Sequence, residues 1–94
     1  MIVSYRDRRT ASFAAGVLVK VFEAFGRQAT KRLQILEAAT SLTDLRTLRS
    51  NRLERLSGDR ASQYSIRIND RWRICFEWPD GAPGPSEVEI VDHH

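Results

Sequence analysis

Apolar positions Leu18, Phe22, Phe25, Ala29, Leu33 and Leu36 recur at steps of four, three, four, four and three. That spacing lines them along one helical face, with Lys20, Glu23, Arg27, Lys31 and Glu37 mostly off it. Gly26 interrupts the run, weakens a helix by about 1 kcal/mol relative to Ala, and predicts a bend. Upstream, residues 2–5 (Ile-Val-Ser-Tyr) are short, apolar and β-branched, and read as a first strand running into a polar turn over 6–9. Thr10 is placed to cap a short helix through Ala15, which Gly16 ends. Ser41 followed by Asp44 resembles a capping box opening another short helix that runs to about Leu48.

The period changes in the second half. Tyr64, Ile66 and Ile68 alternate with Ser65, Arg67 and Asn69, and Trp72, Ile74, Phe76 and Trp78 alternate with Arg71, Arg73, Cys75 and Glu77. Asn69-Asp70 between the runs is a tight-turn signal, so an antiparallel hairpin is predicted. Residues 79–85 hold three prolines and two glycines and read as loop. A last strand is expected over 88–93, and 52–56 supply one more before the hairpin. The layout predicts an α+β domain: a small antiparallel or mixed sheet with N-terminal helices packed on one face. Tyr64, Ile66, Ile68, Trp72, Ile74 and Phe76 should face the helices, leaving Arg67, Arg71 and Arg73 on the opposite, exposed side.

Ninety-four residues fit one domain spanning 1–94. Hydrophobic residues at 41% exclude a disordered chain, and no run approaches the ~18 apolar residues of a membrane span. The start lacks a basic flank and an apolar signal core, and the lone Cys75 forms no internal disulfide, so a cytoplasmic location is expected. Charge is unevenly placed: residues 1–76 carry 15 bases and 7 acids, +8, whereas 77–94 carry 5 acids and no base, −5. Thirteen of the bases are arginines, whose planar fork suits phosphate and interface pairing. The surface therefore suits nucleic acid or an acidic partner, the bland alternative being a solvated Arg-rich face.

No phosphate-binding loop, dinucleotide fingerprint, H-E-x-x-H or EF-hand pattern is present. His93 and His94 are the only histidines, and adjacent strand residues point to opposite faces, so neither a metal nor a cofactor is expected. Cys75, among large hydrophobes, reads as a structural thiol. What remains is Arg60, Arg67, Arg73, Asp92, His93 and His94. Metal-free RNA cleavage needs a group to take the 2′-OH proton, cations around the phosphate and an acid for the leaving oxygen. Histidine, with a reference pKa of about 6.5, suits the proton transfers. The residues alone support a basic α+β domain, with RNA as one candidate partner.

Four separated blocks then resemble the HigB toxins of the RelE superfamily: Leu53-Glu54-Arg55-Leu56-Ser57-Gly58-Asp59-Arg60, Gln63-Tyr64-Ser65-Ile66-Arg67-Ile68-Asn69, Trp72-Arg73-Ile74-Cys75-Phe76, and Val88-Glu89-Ile90-Val91-Asp92-His93-His94. They are similar to the family's L-K-G-D-R, Y-S-I-R-I-N-x-x-W-R-I-x-F and V-D-Y-H signatures, in the same order. The opening Met1-Ile2-Val3-Ser4-Tyr5-Arg6-Asp7 and the Arg32-Leu33-Gln34-Ile35-Leu36-Glu37-Ala38-Ala39 helix resemble the family too.

The resemblance implies a RelE-like fold and a type II toxin that cleaves ribosome-bound mRNA in the A site without a metal, by 2′-OH attack on the adjacent phosphate. It implies a HigA-type helix-turn-helix antitoxin as partner, with operator DNA contacted only through it. Carried over by position, Arg73 binds the scissile phosphate, His94 moves protons beside His93, and Asp92 orients them or contacts ribose. Ser57, Arg60, Arg67 and Arg71 become contacts to RNA or the ribosome, and Arg73 and His94 are expected at the surface, where their removal spares folding. Three departures bear on catalytic strength or codon preference: Ser57 where the family has Lys, His93 where it has Tyr, and Glu54 where some relatives carry His. Two alternatives stay open, a ParE-like gyrase inhibitor on the same fold and a catalytically weak homologue that mainly binds its antitoxin.

Overall fold

The computed structural model describes residues 1–92. Three helices precede a four-stranded antiparallel sheet. Helix α1 spans Arg8–Ala14, α2 Gly26–Ala38 and α3 Leu42–Thr47; strands β1 to β4 span Glu54–Arg55, Gln63–Arg67, Trp72–Glu77 and Ser86–Asp92, in that spatial order. The α+β class read from the sequence is thus observed, with helices against one face of the sheet. Among the described residues no helix is long and apolar enough to cross a membrane.

The periodic apolar run is divided at Gly26. Lys20–Phe25 winds as a 3-10 turn and α2 takes over at Gly26, so the expected bend is a change of helix type. Phe22, Phe25, Ala29, Leu33 and Leu36 are buried, but Leu18 lies before the first turn and is exposed. Their face packs on Ile66, Ile68, Ile74, Phe76, Val88 and Ile90 from the sheet. Trp72 joins at the edge, stacked on Phe25 at 4.8 Å between ring centres and edge-on to Phe22 at 5.9 Å. The even-numbered side of the hairpin therefore faces the helices, as the alternation predicted.

Two expectations near the N-terminus are corrected. Residues 2–5 form no regular strand: Tyr5 makes one parallel bridge to Val88, while Val88 N donates to Ser4 O and Arg6 N to Val88 O. The segment lies along the outer edge of β4 and is too short of partners to continue. Its far end rests on the 79–85 loop, where Val3 N donates to Pro85 O and Gly84 approaches Met1 so closely that a Cβ would fall 1.9 Å from its carbonyl oxygen. The cap of α1 is Asp7, whose carboxylate accepts from Thr10 N at 3.3 Å, and not Thr10. Thr10 sits inside the helix, fully buried, and its Oγ1 accepts from Ile90 N at 3.1 Å, docking α1 on β4. A short polar side chain was readable as a cap, but its hydroxyl is used by the sheet edge instead.

The other turn signals hold. Ser41 caps α3 by accepting from Asp44 N, and Asp44 in return binds Thr40 N and Thr40 Oγ1, each at 2.8 Å. In the hairpin, Ile68 still bonds Trp72, leaving Asn69, Asp70 and Arg71 as the loop; Asn69 Oδ1 closes it by accepting from Arg71 N and Trp72 N. A register shift between Cys75 and Glu77 marks a bulge against β4, with Glu87 at φ 52°. Glu89, Val91 and Cys75 consequently share the face of the sheet away from the helices.

Candidate functional site

Alternation puts Gln63, Ser65 and Arg67 of β2, Arg73 and Cys75 of β3, and Glu89 and Val91 of β4 on one face. The loop between β1 and β2 contains a 3-10 turn, Gly58–Arg60, with Gly58 in the left-handed region at φ 65°. This turn leans over the face and closes a concavity of about 310 Å³ lined by Leu56, Ser57, Arg60, Cys75, Val91 and Asp92. Three of the residues expected from the sequence, Ser57, Arg60 and Asp92, are thereby brought together from positions 57 to 92.

Arg60 is half exposed and lies across the sheet. Its Nη1 donates to Gln63 Oε1 at 3.2 Å and stands 3.9 Å from Glu89 Oε1. Cys75 lines the same concavity. The thiol is buried, and burial pushes its pKa above the ordinary value although the Arg60 charge pulls the other way. Cys75 is therefore a neutral wall of the concavity.

Asp92 is held by Arg71 from the hairpin loop. Nε lies 2.9 Å from both carboxylate oxygens and Nη2 lies 2.6 Å from Oδ2, a fork-on-carboxylate clamp. The hydrogen bond to Asp92, and then its charge, raise the pKa of Arg71. Arg71 is thus engaged within the chain and stands 6.0 Å over the Trp72 ring. Arg67 pairs with Asp70 of the same hairpin loop and does not line the concavity.

Arg73 differs from expectation. It is on the predicted face but buried, 7% exposed, where a surface position was expected. Nε donates to Ser65 Oγ at 2.8 Å, Nη2 donates to Arg52 O at 2.7 Å, and Glu54 stands 4.0 Å away. Burial lowers its pKa, Glu54 opposes this, and the nearby Arg67 and Arg52 charges add to the lowering. The reason lies in β1: this strand packs its Glu54 opposite Ser65, so the chain at Arg52 covers the guanidinium. Arg73 neighbours the concavity through Cys75 and Val91 without lining it. His93 and His94 lie outside the described residues.

Leu56, Cys75, Val91, Gln63 and Glu89 were not singled out as site residues. The signal was available: they flank or alternate in register with the arginines. Among the described residues, no group of three His, Cys, Asp or Glu side chains stands close enough to hold a metal ion. A second concavity, about 330 Å³ between α1 and α2, is mainly apolar, with Phe13, Leu33 and Ala38 in its walls, and gathers no cluster of charges.

Residues 15–94 match the family model described as a RelE-like toxin of the type II toxin-antitoxin system HigB. Over 52 residues the chain is also 43% identical to Toxin HigB-1 of Vibrio cholerae serotype O1 (strain ATCC 39315 / El Tor Inaba N16961). That match takes in 55% of this chain and 55% of the relative, so the similarity spans about half the length of the curated protein.

Proposed function

Because the chain belongs to the HigB-like toxins, RelE-like members of type II toxin–antitoxin systems, we propose that it is a ribosome-dependent mRNA endoribonuclease. Residues 1–94 act as one toxin domain in the cytoplasm. The reaction is attack of a ribose 2′-OH on the adjacent phosphate in the A site, leaving a cyclic phosphate and a free 5′-OH. The observation that carries this reading is the meeting of Ser57, Arg60 and Asp92 in one concavity at the end of β4.

Negative charge grows on the phosphate oxygens as the 2′-oxygen attacks, and fixed cations lower that barrier. Arg60, half exposed at the concavity, presents its guanidinium to the phosphate. Arg73 adds charge from a buried position, its fork tied to Ser65 and Arg52. Asp92 has both oxygens engaged by Arg71 and serves for orientation or ribose contact. Proton transfer falls to His94, with His93 beside it, since an imidazole with a reference pKa of about 6.5 serves as acid and as base near neutrality. Ser57 contributes a hydroxyl contact where relatives carry a cation.

A type II toxin implies an antitoxin partner. The one we propose is HigA-type, with a helix-turn-helix domain that alone touches operator DNA. The test is induction of the toxin followed by mapping of mRNA 5′ ends. In-frame, codon-biased cuts in ribosome-bound messages are expected, lost in His94→Ala protein that melts normally. Growth without such cuts defeats the reading, and arrest with damaged DNA and intact mRNA points to gyrase.

A further inference from the structure

Glu89 stands out on the open face of the sheet. It pairs in register with Cys75, a wall of the concavity. Its Oε1 is buried and accepts no hydrogen bond among the described residues. Burying a carboxylate oxygen unbonded is unfavourable, and such atoms are uncommon in folded proteins. The charge that faces it is the Arg60 guanidinium, 3.9 Å from Nη1 to Oε1. That separation is close enough for Coulomb attraction and too long for a hydrogen bond.

Arg60 is at the same time bonded to Gln63, itself buried, over a concavity walled by Cys75. Strand β2 thus holds the guanidinium by a hydrogen bond, and β4 holds it by charge alone. Half of the Arg60 side chain remains exposed, so it has donors to spare for an incoming anion. A phosphate oxygen approaching these donors forms short, charge-assisted hydrogen bonds, which the long Glu89 contact does not provide.

We propose that Glu89 is the resident counter-ion of Arg60: it positions the guanidinium over the concavity and is exchanged for a phosphate group when one enters. Glu89 is a positioning residue and touches no substrate. Its negative charge opposes stray anions, so only a ligand making several further contacts displaces it. The substrate being RNA rests on the nuclease reading; the exchange itself does not.

The experiment is a titration of the full chain with inorganic phosphate, followed by the Nε–Hε NMR signal of Arg60. Wild type should bind weakly, and Glu89→Gln, which keeps the shape and removes the charge, should bind about tenfold more tightly. In an Arg60→Ala background, read by backbone amides of Ser57 and Asp92, the same substitution should change nothing. Glu89→Asp, which keeps a withdrawn charge, should fall between wild type and Gln, and it decides the matter alone if Glu89→Gln does not fold. Unchanged or weaker phosphate binding in the Glu89 variants overturns the proposal. So does equal tightening without Arg60, which reduces Glu89 to a bulk charge. Phosphate exchange at Arg60 in a protein that leaves ribosome-bound mRNA intact defeats the nuclease reading while this one stands.

Discussion

Replacing Arg73 by alanine should destabilise the protein as well as disarm it. The side chain is 9% exposed and its Nε and Nη2 make hydrogen bonds of 2.8 and 2.7 Å to Ser65 Oγ and Arg52 O. A hydrogen bond to a charged group contributes about 1.5–3 kcal/mol, so the two together hold about 3–6 kcal/mol. Removing the guanidinium also relieves the desolvation that lowers its pKa, which returns part of this and leaves a net loss of about 2–4 kcal/mol. The carbonyl of Arg52 loses its anchor as well, and that residue sits at φ 46°, in the left-handed region. For a chain of this size each kcal/mol moves Tm by about 4–8 °C, so the midpoint should drop by roughly 8–32 °C. Calorimetry and urea unfolding check this, with Arg73→Lys recovering charge but not the forked geometry. An Arg73→Ala protein with a wild-type midpoint refutes the reasoning and makes the guanidinium a free functional group.

Trp72→Ala should cost about 3–5 kcal/mol by removing the ring stacked on Phe25, read as a lower denaturant midpoint with Trp78 as the remaining fluorophore. The Asp44 carboxyl is held below its usual pKa, first by the Thr40 backbone N–H and then by the Thr40 hydroxyl. A group depressed in the folded state stabilises above its unfolded pKa, about 3.9, and loses that as pH falls through the folded value. Wild type should therefore exceed Asp44→Asn in stability at neutral pH and converge with it in acid, measured by unfolding from pH 7 to pH 2. Burial raises the Cys75 thiol pKa, so iodoacetamide at pH 7.5 should label it far more slowly in the folded chain than in urea, by mass spectrometry.

The sheet and its inward face were legible because strict alternation from Tyr64 to Trp78 leaves only one register that buries the apolar side. The α2 face was legible for the matching reason at helical period. What escaped depends on partners distant in sequence. Whether residues 2–5 pair as a strand was set by the outer edge of β4, eighty residues away, and whether Thr10 caps a helix was set by Ile90 N. Alternation placed Arg73 on the correct face but carried no information about what covers that face. The cover is the chain around Arg52, which only the fold of β1 brings there. Ser57, Arg60 and Asp92 were named through the family resemblance and the residue types, whereas their meeting in one concavity, the Arg71–Asp92 clamp and the Glu89–Arg60 pair required geometry.

The N-terminal residues seal one rim of the sheet with Tyr5 against Val88, and the other rim is a strand of two residues, Glu54–Arg55. Neither border offers a long row of free amides to another molecule, which matters for a chain whose strands are rich in β-branched and aromatic residues. A protease nick near Asp7 that released the leading segment would uncover β4 and leave its outer edge as a template for strand-by-strand polymerisation.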